Sequence, residues 1–346
     1  MKKVIFALAA VVALAACSNE QTIVADKGAA IGFDTFVENS TRATDPSLTV
    51  EFMKTDGFGV YGFVTNTVDG NDVTAPLFTN EHIYWDGTWT YGTKQYWMDG
   101  ATYDFAAIAP YEKYTVTVAN RDGVTLNFTN NGETDLLYAQ NNAVEGSAHS
   151  EVGFTFKHLL SKVKFTFTNN YDATNTVIAV KNIVINDAYS KGTAVLGHNG
   201  TAVTADWDPS STDLDLDLAF GNANPAAGYI AQGVSQESDK ALLLIPTADH
   251  AYDVTFTIDL LYQNGVDDAG NPVYVKVQEY NHTVALTHNF EFGKSYNVAT
   301  AIDYTNIVPD GPGGEDNKQS TIEFTVTDIT DWVDGGNAGV VFPENN

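Results

Sequence analysis

In stretch after stretch of this chain, apolar residues return at every second position, and that period of two confines it to β structure. Residues 30–37 (AIGFDTFV) set Ile31, Phe33 and Thr35 on one face. Residues 102–109 (TYDFAAIA) align Tyr103, Phe105, Ala107 and Ala109 until Pro110 stops the run. Residues 321–327 repeat the pattern with Ile322, Phe324 and Val326. Val, Ile, Thr, Tyr and Phe fill the ordered stretches, and Asn, Asp and Gly separate them, as strands and turns require. Past the first residues no run of helical period 3.6 stands out; the nearest is short, around residues 156–163. The expected fold class is all-β.

The sharpest turn signal is Asp86-Gly87 inside residues 83–91 (IYWDGTWTY), two residues that tolerate positive φ between aromatic arms. Residues 114–118 and 123–128 are expected to pair across Asn120-Arg121-Asp122. Residues 152–168 read as two strands around a brief turn, and 252–262 with 273–286 as a hairpin around 264–272. The continuous apolar run at 241–246 (ALLLIP) predicts a fully buried strand. Residues 191–224 read as loop-rich and acidic, and the Gly-Pro-Gly-Gly stretch in 310–320 as a linker. A chain of 346 residues exceeds what one core usually serves. The small, polar residues 140–151 are the expected boundary between two domains.

The N-terminus reads as an export signal. Lys2 and Lys3 precede an apolar run over residues 4–13, shorter than the roughly 20 residues that span a bilayer and suited to a signal core. Leu14-Ala15-Ala16-Cys17 resembles the bacterial lipobox: small residues before the cysteine that becomes lipidated. Ser18 follows, with no aspartate of the kind that retains some lipoproteins at the inner membrane, so the expected destination is the outer membrane. Export permits disulfides, but Cys17 is the only cysteine. A single acyl chain anchors weakly, each buried CH₂ contributing about 0.8 kcal/mol, and lipoprotein modification supplies several.

Removing residues 1–16 takes away Lys2 and Lys3 and no acid, so the formal net charge moves from −27 to −29. That excess argues against nucleic acid and anionic lipid surfaces as partners. With hydrophobic residues at 44% and aromatics at 12%, the chain can build real cores. Catalytic motifs are missing: there is no Gly-x-Ser-x-Gly elbow, no His-Glu-x-x-His and no cysteine nucleophile. Gly293-Lys294-Ser295 has histidine, not glycine, at position 288 and fails as a phosphate loop. The histidines lack metal spacing, and His158 reads as structural. The acidic loops 68–73 and 266–272 could hold calcium, but neither fits an EF-hand, and polar turns are the simpler reading. The expectation is a protein that is not an enzyme and carries no cofactor.

Several pieces then fall into an order. They are the lipobox at Cys17, the strand at Ile31, Thr41-Arg42-Ala43, FGVYGFV at 58–64 and the YW hairpin. FAAIAPY at 105–111, DLLYA at 135–139, FTFKHLLSKVKFTF at 154–167, LLLIP at 242–246 and FGKSYNV at 292–298 follow. This order resembles the fimbrillin family of Bacteroidetes, the subunits of type V pili. The resemblance implies two tandem transthyretin-like β-sandwich domains. The chain then divides into a signal peptide (1–16), a lipidated propeptide with the first strand (17–42), an N-terminal domain (43–148) and a C-terminal domain (149–346). It implies that a protease cuts between Arg42 and Ala43. The strand carrying Ile31, Phe33, Thr35 and Val37 leaves, and a neighbouring subunit's C-terminal strand fills the groove. Candidate donors are Val340, Val341 and Phe342 or the longer stretch 321–332. Implied partners are other fimbrial subunits, the processing protease and, for the precursor, the outer membrane. The competing expectation is a surface glycan-binding lipoprotein using Trp85, Trp89, Trp97, Trp207 or Trp332, for which two exposed aromatics on one loop face would speak.

Overall fold

A computed structural model describes residues 29–37, 50–199, 202–220, 229–248, 250–307 and 325–329. The first half holds β1 (Phe33–Val37), a short helix α1 (Val50–Asp56), β2 (Phe58–Val68), β3 (Asn71–Trp85), β4 (Trp89–Thr90) and β5 (Thr102–Ala109). β6 (Tyr114–Asn120), β7 (Gly123–Thr129), β8 (Leu137–Glu145), β9 (Val152–His158) and β10 (Ser161–Asn169) follow. Beyond them run β11 (Thr176–Asn199), β12 (Ala202–Leu218), β13 (Tyr229–Ala231), β14 (Ser235–Glu237) and β15 (Leu242–Leu244). The described chain finishes with β16 (Ala251–Val266), β17 (Pro272–Thr287), β18 (Ser295–Ile302) and β19 (Thr325–Ile329). The fold is all-β.

Among the described residues the strands form three sheets. The first runs β1-β9-β8-β5-β2-β3-β4, the second β14-β10-β18-β19 with β15 beside β10. The third runs β17-β16-β11-β7-β6, with β12 and β13 also on β11. Asp86-Gly87 lies in the turn between β3 and β4, which takes in Thr88 and is one residue longer than expected, Gly87 taking a φ of 80° and Trp85 facing Trp89 across it. In the first sheet, Phe58, Phe78, Phe105, Phe154 and Phe156 form an aromatic core on one face. A second core lies between the other two sheets, with Phe165, Phe167 and Val298 against Ile178, Val254 and Phe256.

A third core joins the halves. β5 is buried on both faces: Tyr103, Phe105, Ala107 and Ala109 enter the aromatic core, while Ala106 and Ile108 face the opposite way. There they meet Val124, Leu126 and Phe128 of β7, Ala194 and Leu196 of β11, and Leu243 and Ile245. The β6–β7 hairpin thus comes from the first half but pairs with β11, seven residues in register from Lys191↔Thr129 to Gly197↔Gly123. Close approach demands glycine at 123, where a Cβ would lie 2.0 Å from the Leu196 carbonyl oxygen. Arg121 in the hairpin turn reaches the buried Asp104 of β5 at 3.6 Å, and Asp104 Oδ1 accepts the Ala143 amide. Asp135 and His158 tie the start of β8 to the end of β9 through a buried 2.6 Å hydrogen bond.

The structure corrects several expectations. Residues 191–199 and 202–218 are strand, not loop. Their acidic residues face solvent while Val203, Ala205 and Trp207 alternate against the third core, so a charged period of two hides a strand. The apolar run at 241–246 contributes only three strand residues. The loop expected at 264–272 shrinks, because β16 and β17 continue to Val266 and from Pro272. α1 escapes a period-based reading because it is only seven residues long. The sheets do not part at residues 148 and 149: β9 returns to β8 and β1 of the first sheet, and β7 joins the third.

His282 on β17 stacks on Phe256 at 5.3 Å with its Nε2 buried and unpartnered. Burial holds its pKa below the ordinary 6.5. The unfolded chain therefore binds the extra proton first, and stability is lost as pH falls below that value. Unfolding by urea between pH 7 and pH 5 should show a shallower loss of stability in His282→Phe than in the parent.

Candidate functional site

The leading segment earns its position from alternation. Ile31, Phe33 and Thr35 are buried and Asp34 is exposed, as period two requires. Its two parts hold different neighbours. The Ile31 amide donates to the Gln95 carbonyl at 2.9 Å, and the Trp97 amide donates to the Ala29 carbonyl at 3.0 Å. The Tyr91 hydroxyl donates to the Ile31 carbonyl at 2.8 Å and accepts the Gln95 amide at 3.1 Å. Burial raises the Tyr91 pKa above 10, which keeps the hydroxyl a donor. At Gly32 the chain changes sides: the Val152 amide donates to its carbonyl. From there β1 runs parallel to β9, from Phe33↔Val152 to Val37↔Phe156. The first sheet begins at β1 and ends at β4, and the residues after β4 are those that grip Ile31. The leading strand thus closes the gap between the sheet's two ends.

Phe33 fills that gap. Its ring meets Phe78 at 5.7 Å, Tyr91 at 5.6 Å and Phe105 at 6.1 Å edge-on, and stacks on Phe154 at 5.8 Å. Burying such a ring contributes about 1.5–3 kcal/mol, with about 0.5–1.5 kcal/mol more for a favourable aromatic pair. The strand also carries a flaw. Thr35 is 6% exposed, yet its Oγ1 has no hydrogen-bond partner. An orphaned buried hydroxyl costs about 1–3 kcal/mol. Asp34 turns its own carboxylate onto the Thr35 amide at 2.8 Å.

Ile31, Phe33 and Thr35 are therefore brought together in one site, and the backbone of Val37 completes the ladder. Cys17, Arg42, Ala43, Val340, Val341 and Phe342 lie outside the described residues. Tyr91, Gln95 and Trp97 were not legible as partners of Ile31, since nothing local couples residues about 60 positions apart. Among the tryptophans, Trp97 packs on Tyr103, Trp89 on Phe58, and Trp207 donates to the Leu159 carbonyl. Trp85 is exposed, with the Lys54 ammonium 4.5 Å from its ring centre. Asp267 satisfies its own loop, accepting the Ala269 and Asn271 amides. Among the described residues no cluster of three or more His, Cys, Asp or Glu is arranged for a metal, and no helix is long and apolar enough to cross a membrane.

A family model described as fimbrillin-like matches residues 41–332. The chain belongs to the fimbrillin-like family. None of the curated proteins searched matches it. This fimbrillin-like chain is similar to a candidate cell-adhesion protein from Bacteroides uniformis, at 18% identity and a TM-score of 0.43 over 88% of this chain and 99% of that one. It is similar to another from Bacteroides ovatus, at 17% identity and a TM-score of 0.43 over 79% and 87%. The fimbrial anchor protein Mfa2 from Porphyromonas gingivalis shares 10% identity at a TM-score of 0.31 over 86% and 96%.

Two substitutions probe the site. Phe33→Ala should destabilise the chain by about 3–5 kcal/mol, the range for truncating a buried phenylalanine. Thr35→Val, which keeps the shape and removes the orphan hydroxyl, should stabilise it by about 1 kcal/mol. Denaturant midpoints at constant slope measure both.

Proposed function

We propose that this chain is a structural subunit of a cell-surface fimbria, exported as a lipoprotein and polymerised by strand exchange in support of adhesion. The observation that carries this is the leading strand, one short element that closes the first sheet and plugs its aromatic core. Cys17 is lipidated and tethers the precursor to the outer membrane. A protease then cuts after Arg42, in the chain between β1 and α1. Loss of residues 31–37 frees one edge of β9 and opens the Phe33 pocket. An exposed strand edge beside an apolar trench is a template for another strand. Head-to-tail donation is a heterologous contact, so it extends into a filament and does not close. The first and second cores serve as two sandwich-like domains, joined by the third core.

A surface glycan-binding role is the competing proposal, and Tyr84 and Trp85 are exposed aromatics it would draw on. They are neighbours on β3 and so lie on opposite faces, which gives a sugar no shared platform.

Digestion of the purified, unlipidated chain with an arginine-specific protease tests the main proposal. The expected result is a cut after Arg42 and then ladders that survive SDS without boiling. Arg42→Ala should abolish them. A cut at Arg42 whose product stays monomeric would remove the case for polymerisation.

A further inference from the structure

Where the parallel strands β10 and β18 end together, Asn169 against Ile302, the chain presents tyrosines in a way that core packing does not require. Tyr171 follows β10 and Tyr304 follows β18. Their rings lie 4° from parallel with centres 5.9 Å apart, and Tyr304 keeps 59% of its surface exposed. Tyr280 of β17 stands beside them. Burial raises its pKa above 10, and the neighbouring Tyr171 and Tyr304 add to the shift, so its hydroxyl stays a donor. Tyr171 and Tyr280 lean on the second core, whereas Tyr304 does not.

The loops that carry Tyr171 and Tyr304 are fixed from below. Asn169, fully buried, accepts the Tyr171 amide at 2.9 Å and donates to the Ile230 carbonyl at 2.8 Å. The Asn170 amide donates to the Ile302 carbonyl at 2.8 Å, which ties one loop to the other. Asn306, 5% exposed, accepts the Asp303 amide at 2.8 Å and closes the turn Tyr304–Asn306. Folding gains little from so firm a mount for an exposed ring. A binding surface gains directly, because a rigid amphipathic tyrosine gives contact area at low entropy cost. The exposed Asp172, next to Tyr171 in the chain, accepts the Gln232 side-chain amide at 2.7 Å and adds a fixed carboxylate.

We propose that Tyr171, Tyr280 and Tyr304 form a glycan-binding platform for neutral, β-linked glucose or galactose units. Such pyranose rings present faces of C–H groups, which lie flat on a tyrosine, and edge hydroxyls, which the phenol hydroxyls and the Asp172 carboxylate meet. The formal net charge of −27 disfavours anionic glycans. Two aromatic rings share one face here, which Tyr84 and Trp85 do not. The platform rests on the adhesion part of the function proposed above, gives that adhesion a ligand class and needs no strand exchange.

The test titrates the intact mature chain, unlipidated and not nicked, with cellohexaose and with a β-linked galactotetraose in a calorimeter. At least one should bind with a Kd of about 1 mM or tighter. Tyr304→Ala should weaken that binding about tenfold or more, as loss of a central tyrosine does, and leave the melting temperature unchanged because the ring is exposed. Tyr304→Trp should keep or tighten it, and Tyr280→Phe should weaken it severalfold. Tyr262→Ala, at an exposed tyrosine of β16, should leave it unchanged. Absence of binding to both oligosaccharides, or binding indifferent to Tyr304→Ala, overturns the platform. Beads coated with the chain separate the platform from adhesion itself. Equal attachment to cultured epithelial cells by the parent and by Tyr304→Ala overturns the platform and leaves adhesion standing; attachment by neither overturns both.

Discussion

The packing of Phe33 among four rings sets the terms for the rest of the first sheet. Those rings come from β3, β5, β9 and the stretch after β4, and Phe33 touches all four. The backbone ladder of β1 is short, and each of its hydrogen bonds nets only about 1 kcal/mol against water. Truncating a buried phenylalanine costs about 3–5 kcal/mol. Side-chain fit, more than the ladder, therefore decides which strand holds the groove. On the strand-exchange proposal, a strand that fits well but leaves a buried hydroxyl unpaired would be stable enough to fold around and open to replacement.

The same sheet must also face the other way. Alanines at 106 and 107 keep β5 thin, so one core can lie on each side of it. Arg121 bound to Asp104, and Asp135 bound to His158, pin the strands that flank this double-sided layer. The groove is consequently cut into a wall supported from behind. Its lining rings do not depend on the leading strand alone for their positions.

Much of this was legible in the sequence, and the limits have physical causes. Ile31, Phe33 and Thr35 share a buried face because alternation is local. The Trp85–Trp89 hairpin was legible because Asp86-Gly87 marks its turn, although Thr88 joins them and the turn has three residues. The strand at 202–218 was lost because its solvent face is acidic, and acidity imitates a loop. The partners of the leading strand were illegible for a different reason. Ile31 binds residues near 95 and Phe33 pairs at Val152, and sequence separations of that size leave no local trace. The family order supplied an expectation of the strand's role; three-dimensional structure supplied its pocket.

The β6–β7 hairpin has a mechanical consequence. Domains joined by a small polar interface swing freely by default. Here a strand pair from one half is laced into the sheet of the other over seven residues, with an apolar layer behind it. To hinge at its waist, the molecule would have to shear that ladder and wet that layer together. The two halves are therefore coupled stiffly, and in any fibre built from this chain, elasticity would reside in the couplings between neighbours.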